Sequence, residues 1–189
     1  MSFSWLPGRL WWRIGGIWTF ESAVLVKLYV QSHIDIFIQI LQVGGGRKAA
    51  CINAASLALI DAGVPMNYFV VADQAGYIDN TPLIGLNYIE ECSNSPDLPV
   101  AILPNSHIHR QAEADDDAMS DADASGPAVA TGPACDVVMV QMDGRLPLEL
   151  FDTVINAAVE GALQIHALLK EEVKQYTLGL AETRGFVAA

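Results

Sequence analysis

Basic side chains are what this 189-residue chain has least of. Ten Lys and Arg stand against 22 Asp and Glu, a formal net charge of −12. Between Lys48 and Arg145 the only basic residue is Arg110. A protein that holds nucleic acid unaided needs a basic patch to meet phosphates and release counterions. The middle of this chain excludes that role, so most of the positive charge for any nucleic-acid contact has to come from elsewhere. Charged residues of both signs make up only 17% and hydrophobic ones 52%. That balance excludes a mainly disordered chain and points to some apolar surface meant for a partner. Cysteine is also scarce. Cys51, Cys92 and Cys135 lie far apart, are odd in number and form no Cys-x-x-Cys pair. They fit neither a disulfide framework nor a zinc site and read as reduced thiols of an intracellular protein. His33, His107, His109 and His166 show no metal-ligand spacing, so no metal site is expected.

What is present begins with a leader that holds all four tryptophans, Trp5, Trp11, Trp12 and Trp18. Pro7, Arg9, Arg13, Gly15 and Gly16 interrupt any apolar run long enough to span a bilayer. Residues 1–19 therefore read as lying outside the fold, and no membrane partner is expected. From Phe20 the chain alternates between elements. Phe20, Val24 and Leu28 recur at helical spacing. His33 to Ile40 alternates strictly, with Ile34, Ile36, Ile38 and Ile40 on one face, which predicts a strand with one buried side. After Gly44-Gly45-Gly46, Lys48 to Ala62 reads as a helix that is apolar nearly all round and so buried between layers, stopped by Gly63 and Pro65. Tyr68–Ala72 and Leu83–Ile89 read as strands joined through Gly76 and an Asp79-Asn80 turn. Leu98–Leu103 is a further strand.

Residues 105–133 differ in kind. They are rich in Ala, Asp, Ser, Gly and Pro and carry Glu113, Asp115, Asp116, Asp117, Asp121 and Asp123. By composition this is a disordered acidic insertion, and its six acids equal half of the net charge. Asp136–Met142 resumes as a strand, so Leu103 and Val137 are expected on two arms of a hairpin with a lengthened tip. After an Asp143-Gly144 turn, Leu148–Tyr176 is the longest helix, with a stripe through Leu150, Val154, Ala157, Ala158, Gly161, Ile165, Leu168, Leu169 and Val173. Residues 178–189 read as a tail. Helix, strand, helix, several strands and a long helix give an α+β fold, a mixed sheet packed against helices.

The segment IDIFIQILQVGGGRKAACINAASLALIDAGVPM, Ile34 to Met66, resembles the RNase PH family. The likeness continues through Gly76-Tyr77-Ile78-Asp79, Leu86-Asn87-Tyr88-Ile89-Glu90-Glu91 and Met142-Asp143-Gly144-Arg145-Leu146. It covers residues 20–177 apart from the acidic insertion. Two departures stand out. The family's first strands and helices, with the arginines that grip RNA and phosphate, are absent ahead of Phe20. The glycine-rich turn, usually Asp-Gly-Gly-Thr-Arg, is here Gly44-Gly45-Gly46-Arg47-Lys48.

The resemblance implies an RNase PH-like fold, incomplete at its N-terminus, in a core ring subunit of an RNA exosome that takes part in 3′-to-5′ RNA processing. Its implied partners are other RNase PH-like subunits, cap subunits, and RNA passing through the assembled complex in the nucleus, nucleolus and cytoplasm. In active members inorganic phosphate, a co-substrate and not a bound cofactor, attacks the terminal RNA linkage. Gly46, Arg47 and Lys48 occupy the positions that hold it, through backbone amides, the helix dipole and a cation. Lys48 loses the bidentate geometry of an arginine. Glu91 and Asp97 match the family's pair of acids six residues apart, Asp97 as general acid for the leaving 3′ oxygen. Without the resemblance, the turn is an ordinary strand-to-helix connection and Asp97 a solvated turn residue beside prolines. A scaffold role ranks ahead of a non-functional fragment, and both ahead of an autonomous enzyme.

Overall fold

The computed structural model describes residues 19–29, 32–93, 95–104 and 135–185. Residues 1–18 of the leader and the acidic insertion lie outside the described residues, whereas Thr19, read as outside the fold, is described and fully buried. Helix α1, Arg47–Asp61, starts from Gly46 in the left-handed conformation (φ 59°) and ends before Gly63 (φ 70°). Strand β1, Val71–Ile78, turns back through Asp79 and Asn80, both with positive φ, into β2, Thr81–Ile84. Two left-handed residues match the right-handed twist of the flanking strands, and Asp and Asn tolerate that conformation best among residues other than Gly. A single helical turn, α2, Tyr88–Glu91, follows. Strands β3, Asp97–Pro104, and β4, Cys135–Val140, come next, and α3, Leu148–Thr183, closes the described chain.

The sheet order is β2-β1-β3-β4, and every pairing among the described strands is antiparallel. Alternation along the two central strands divides the apolar residues between two faces. Val70, Ala72, Ala101 and Leu103 meet α1 through Ile52, Ala55 and Leu59, together with Phe20 and Val24. Val71, Ala75, Leu98, Val100 and Ile102 meet α3 through Val154, Ala158, Val159 and Ala162. The sheet is thus sandwiched between two helices, an α+β arrangement as expected. Small residues bring α1 close enough for side chains to reach the strands. Asn53 donates to the carbonyl of Ala72 and accepts its N–H, both at 2.8 Å. Ser56 donates to Val70 O at 2.6 Å. Asn53 fills the edge of β1 beyond the point where β2 stops pairing, a site where unmatched backbone groups would cost about 1–3 kcal/mol.

Several expectations are corrected. Residues 32–44 form no ladder. Ile36 is buried and Ile34 and Ile38 pack on the core, but Ile40 is 47% exposed. The alternation is real, yet a strand also needs a hydrogen-bonding neighbour, and none is present among the described residues. The strand expected at Tyr68–Ala72 begins later and runs on to Ile78. That expected at Leu83–Ile89 breaks at Gly85 (φ 71°), after which Asn87 and Glu90 cap α2 reciprocally. Helix α1 is covered on one face only, since Ala54 and Ala58 are exposed. Leu28 and Leu168, assigned to apolar stripes, are 68% and 67% exposed. The β3–β4 hairpin holds, with Ile102 opposite Val137 and Leu103 opposite Asp136.

Candidate functional site

The glycine turn is locked against the segment that leads into α2. Gly45 has φ 126°, and a Cβ there would lie 2.1 Å from the carbonyl of Leu86. The N–H of Tyr88 donates to Gly44 O at 2.8 Å. Only glycine allows this approach. The contact sets the start of α1 beside α2, over one end of β1 and β3. Gly46 offers no side chain to cap the helix, so first-turn amides depend on partners from outside it.

Four elements and the turn after β4 then send side chains to one place. Lys48, in the first turn of α1, is buried at 6% exposure, and its Nζ lies 2.9 Å from Asp143 Oδ2. Asp143 exchanges two backbone hydrogen bonds of 3.1 Å with Asp97, which opens β3. Gln74, fully buried in β1, donates through Nε2 to Asp97 Oδ2 at 3.0 Å and to Glu91 Oε1 at 3.4 Å. Burial pushes the Asp97 carboxyl above its ordinary value. Lys48 pulls it back, and the nearby Asp143 and Glu91 carboxylates add to the rise.

Lys48, Asp97 and Glu91, matched from separate parts of the sequence, therefore come together, with Gly46 at the adjoining helix start. Arg47 does not join them. It lines a separate open groove of about 430 Å³ with residues 38–45 and Cys51. Sequence reasoning missed Gln74 and the partnership of Asp143 with Lys48. A polar Asp73-Gln74 pair inside a buried apolar strand was the available signal for Gln74. No signal tied Lys48 to a residue 95 positions away. Among the described residues, no group of three or more His, Cys, Asp and Glu is placed to hold a metal ion, and no helix is long and apolar enough to cross a membrane.

The chemistry open to this centre follows from its charges. One ammonium faces three carboxyl groups, so a phosphate dianion would meet net negative charge unless protons are taken up or the Lys48–Asp143 pair opens. That pair borders water, since the Asp143 side chain is 63% exposed. Asp97, buried and raised, is the member best suited to hold a proton.

The four-stranded antiparallel sheet between helices, with a glycine turn feeding α1, is of the RNase PH type by its likeness to a solved structure. Rice Rrp46 has the same fold, with a TM-score of 0.66 over 88% of this chain and 68% of that one, at 14% identity. The sequence agrees: residues 18–65 match the 3′ exoribonuclease family, domain 1, of RNase PH. The chain is 38% identical over 158 residues to human exosome complex component RRP41, covering 84% of this chain and 53% of that protein. It is 39% identical over 161 residues to the Arabidopsis thaliana homolog, covering 83% and 55%. To Rrp41 of the archaeon Thermococcus onnurineus it is 32% identical over 165 residues, covering 87% and 55%. The chain is thus similar to proteins named as exosome components and spans about half the length of the curated relatives it matches.

Proposed function

We propose that this chain serves as a ring subunit of an RNA exosome, assembled with other RNase PH-like subunits and cap subunits, and contributes to 3′-to-5′ RNA processing in nucleus, nucleolus and cytoplasm. The observation that carries this reading is identity of 38% across 84% of the chain to a protein named as an exosome complex component. Its part is mainly that of scaffold and channel wall. Lys48, the cation matched to the phosphate site, is already engaged by Asp143, and the centre's net charge opposes an entering anion. The test is to co-express the full chain with other RNase PH-type subunits and measure the mass of the purified assembly. Stable hetero-oligomers support the reading; a chain that stays apart from every such subunit contradicts it.

The burial of Asp97 beside Lys48 favours a second reading, a phosphate-dependent 3′-to-5′ exoribonuclease. A phosphate oxygen, held at Gly46 and Lys48, attacks the terminal phosphorus of RNA. The bond from phosphorus to the 3′ oxygen breaks, Asp97 gives its proton to that oxygen, and a nucleoside diphosphate leaves. The assembled complex should then release nucleoside diphosphates only when inorganic phosphate is added. The Asp97→Asn variant should lose about 10²-fold or more of that rate. RNA shortening that does not respond to phosphate would count against this chemistry.

A further inference from the structure

We propose that Gln74 is a positioning residue that holds the carboxyls of Glu91 and Asp97 as one hydrogen-bonded unit. Its amide sits between the two acids, and ionised carboxylates only accept hydrogen bonds. The NH₂ end must therefore face them, at 3.0 Å from Asp97 Oδ2 and 3.4 Å from Glu91 Oε1. The amide oxygen is left behind, buried and with no hydrogen-bond partner among the described residues. A buried carbonyl without a partner is a cost that a methionine or leucine of similar size would avoid. Filling space does not explain an amide here; donating to two acids does.

The root of the side chain is fixed as well. Gln74 N–H donates to Asp73 Oδ1 at 2.8 Å, and its carbonyl accepts from Gly85 N–H at 2.8 Å. The charged groups that face the unit from outside it are Lys48 from α1 and Asp143 from the turn after β4. Of the neighbours, Gln74 is the neutral donor shared by both acids. It steadies their ionised forms against mutual repulsion and fixes which oxygen of Asp97 stays outward. Which reaction this alignment serves rests on the phosphorolytic reading above; the contact itself does not.

The full chain, with ¹³C-labelled Asp and Glu carboxyls, is titrated by NMR as wild type and as Gln74→Met. Loss of the donor should raise the Asp97 midpoint by about one unit. In the wild type, the side-chain amide resonance of Gln74 should shift through the Asp97 transition. An Asp97 midpoint unchanged in Gln74→Met would overturn the proposal. So would a Gln74 amide resonance that stays still across that transition, and this measurement needs no variant to fold. Neither readout involves RNA or turnover. A phosphorolysis assay that releases no nucleoside diphosphate would thus sink the enzymatic reading and leave this one standing.

Discussion

Asp73 and Gln74 adjoin in the middle of β1 and point to opposite faces of the sheet, Gln74 toward the acid cluster and Asp73 toward α3. Burial raises the Asp73 carboxyl above its usual 3.8, with the N–H of Gln74 opposing the rise. The folded protein therefore keeps this proton to higher pH than the unfolded chain does. Such a group supports stability in full below pH 3.8, and that support is lost as pH rises through the folded value. An amide of the same shape is less costly to bury than a carboxylate and can still accept from Gln74 N–H. Asp73→Asn should accordingly melt at a higher temperature than the wild type at pH 7, with the gap closing as pH falls below 4. Thermal melts across that range test it, and equal melting temperatures at pH 7 would refute the burial argument. At this scale, family spacing singled out Lys48, Glu91 and Asp97 as candidates, and the fold brings the three together. Their hydrogen bonds were not legible, since Gln74 and Asp143 come from distant parts of the chain.

Elements were legible where local signals decide them. The glycines around α1 and the Asp79-Asn80 hairpin follow from backbone preference and the long closing helix from periodicity, although that helix runs to Thr183, past the end expected at Tyr176 and into the stretch read as a tail. Residues 32–44 were not legible, because alternation shows which side chains face inward but not whether a neighbouring strand exists. Helix α2 was hidden inside an apolar run, although Asn87 and Glu90 stand at the capping-box spacing. Gly161 was placed on the correct stripe of α3 for a reason the stripe alone does not give. A Cβ there would lie 2.0 Å from Asp73 Oδ2 and 2.6 Å from Ile84 Cγ2, so α3 crosses the sheet at this glycine. Gly161→Ala gains about 1 kcal/mol of helix propensity but forces the helix off the sheet, an overpacking cost of about 1–3 kcal/mol. The net expectation is destabilisation by about 1–2 kcal/mol, read as a lower urea midpoint at unchanged slope. A midpoint at or above wild type would mean that the helix does not rest on Asp73 and Ile84.

For the molecule as a whole, charge decides what the chain can do by itself. With 22 acids against 10 bases, and Lys48 tied to Asp143, it presents few cations to a polyanion. Non-specific RNA affinity comes from phosphates neutralised and counterions released, so the isolated chain should bind single-stranded RNA more weakly than about 10⁻⁴ M at about 0.15 M salt. Deleting residues 105–133 removes six acids together with Arg110, so it should relieve repulsion without creating a site. In an assembly with RNase PH-type partners, affinity should appear, and the slope of log K against log salt should count the phosphates that the partners meet, at about 0.7 per contact for a single strand. Fluorescence anisotropy of a labelled RNA measures all three cases. Micromolar binding by the isolated chain, falling steeply with salt, would place the RNA-holding cations in this chain after all, and the division of labour between scaffold and partners would have to be reversed.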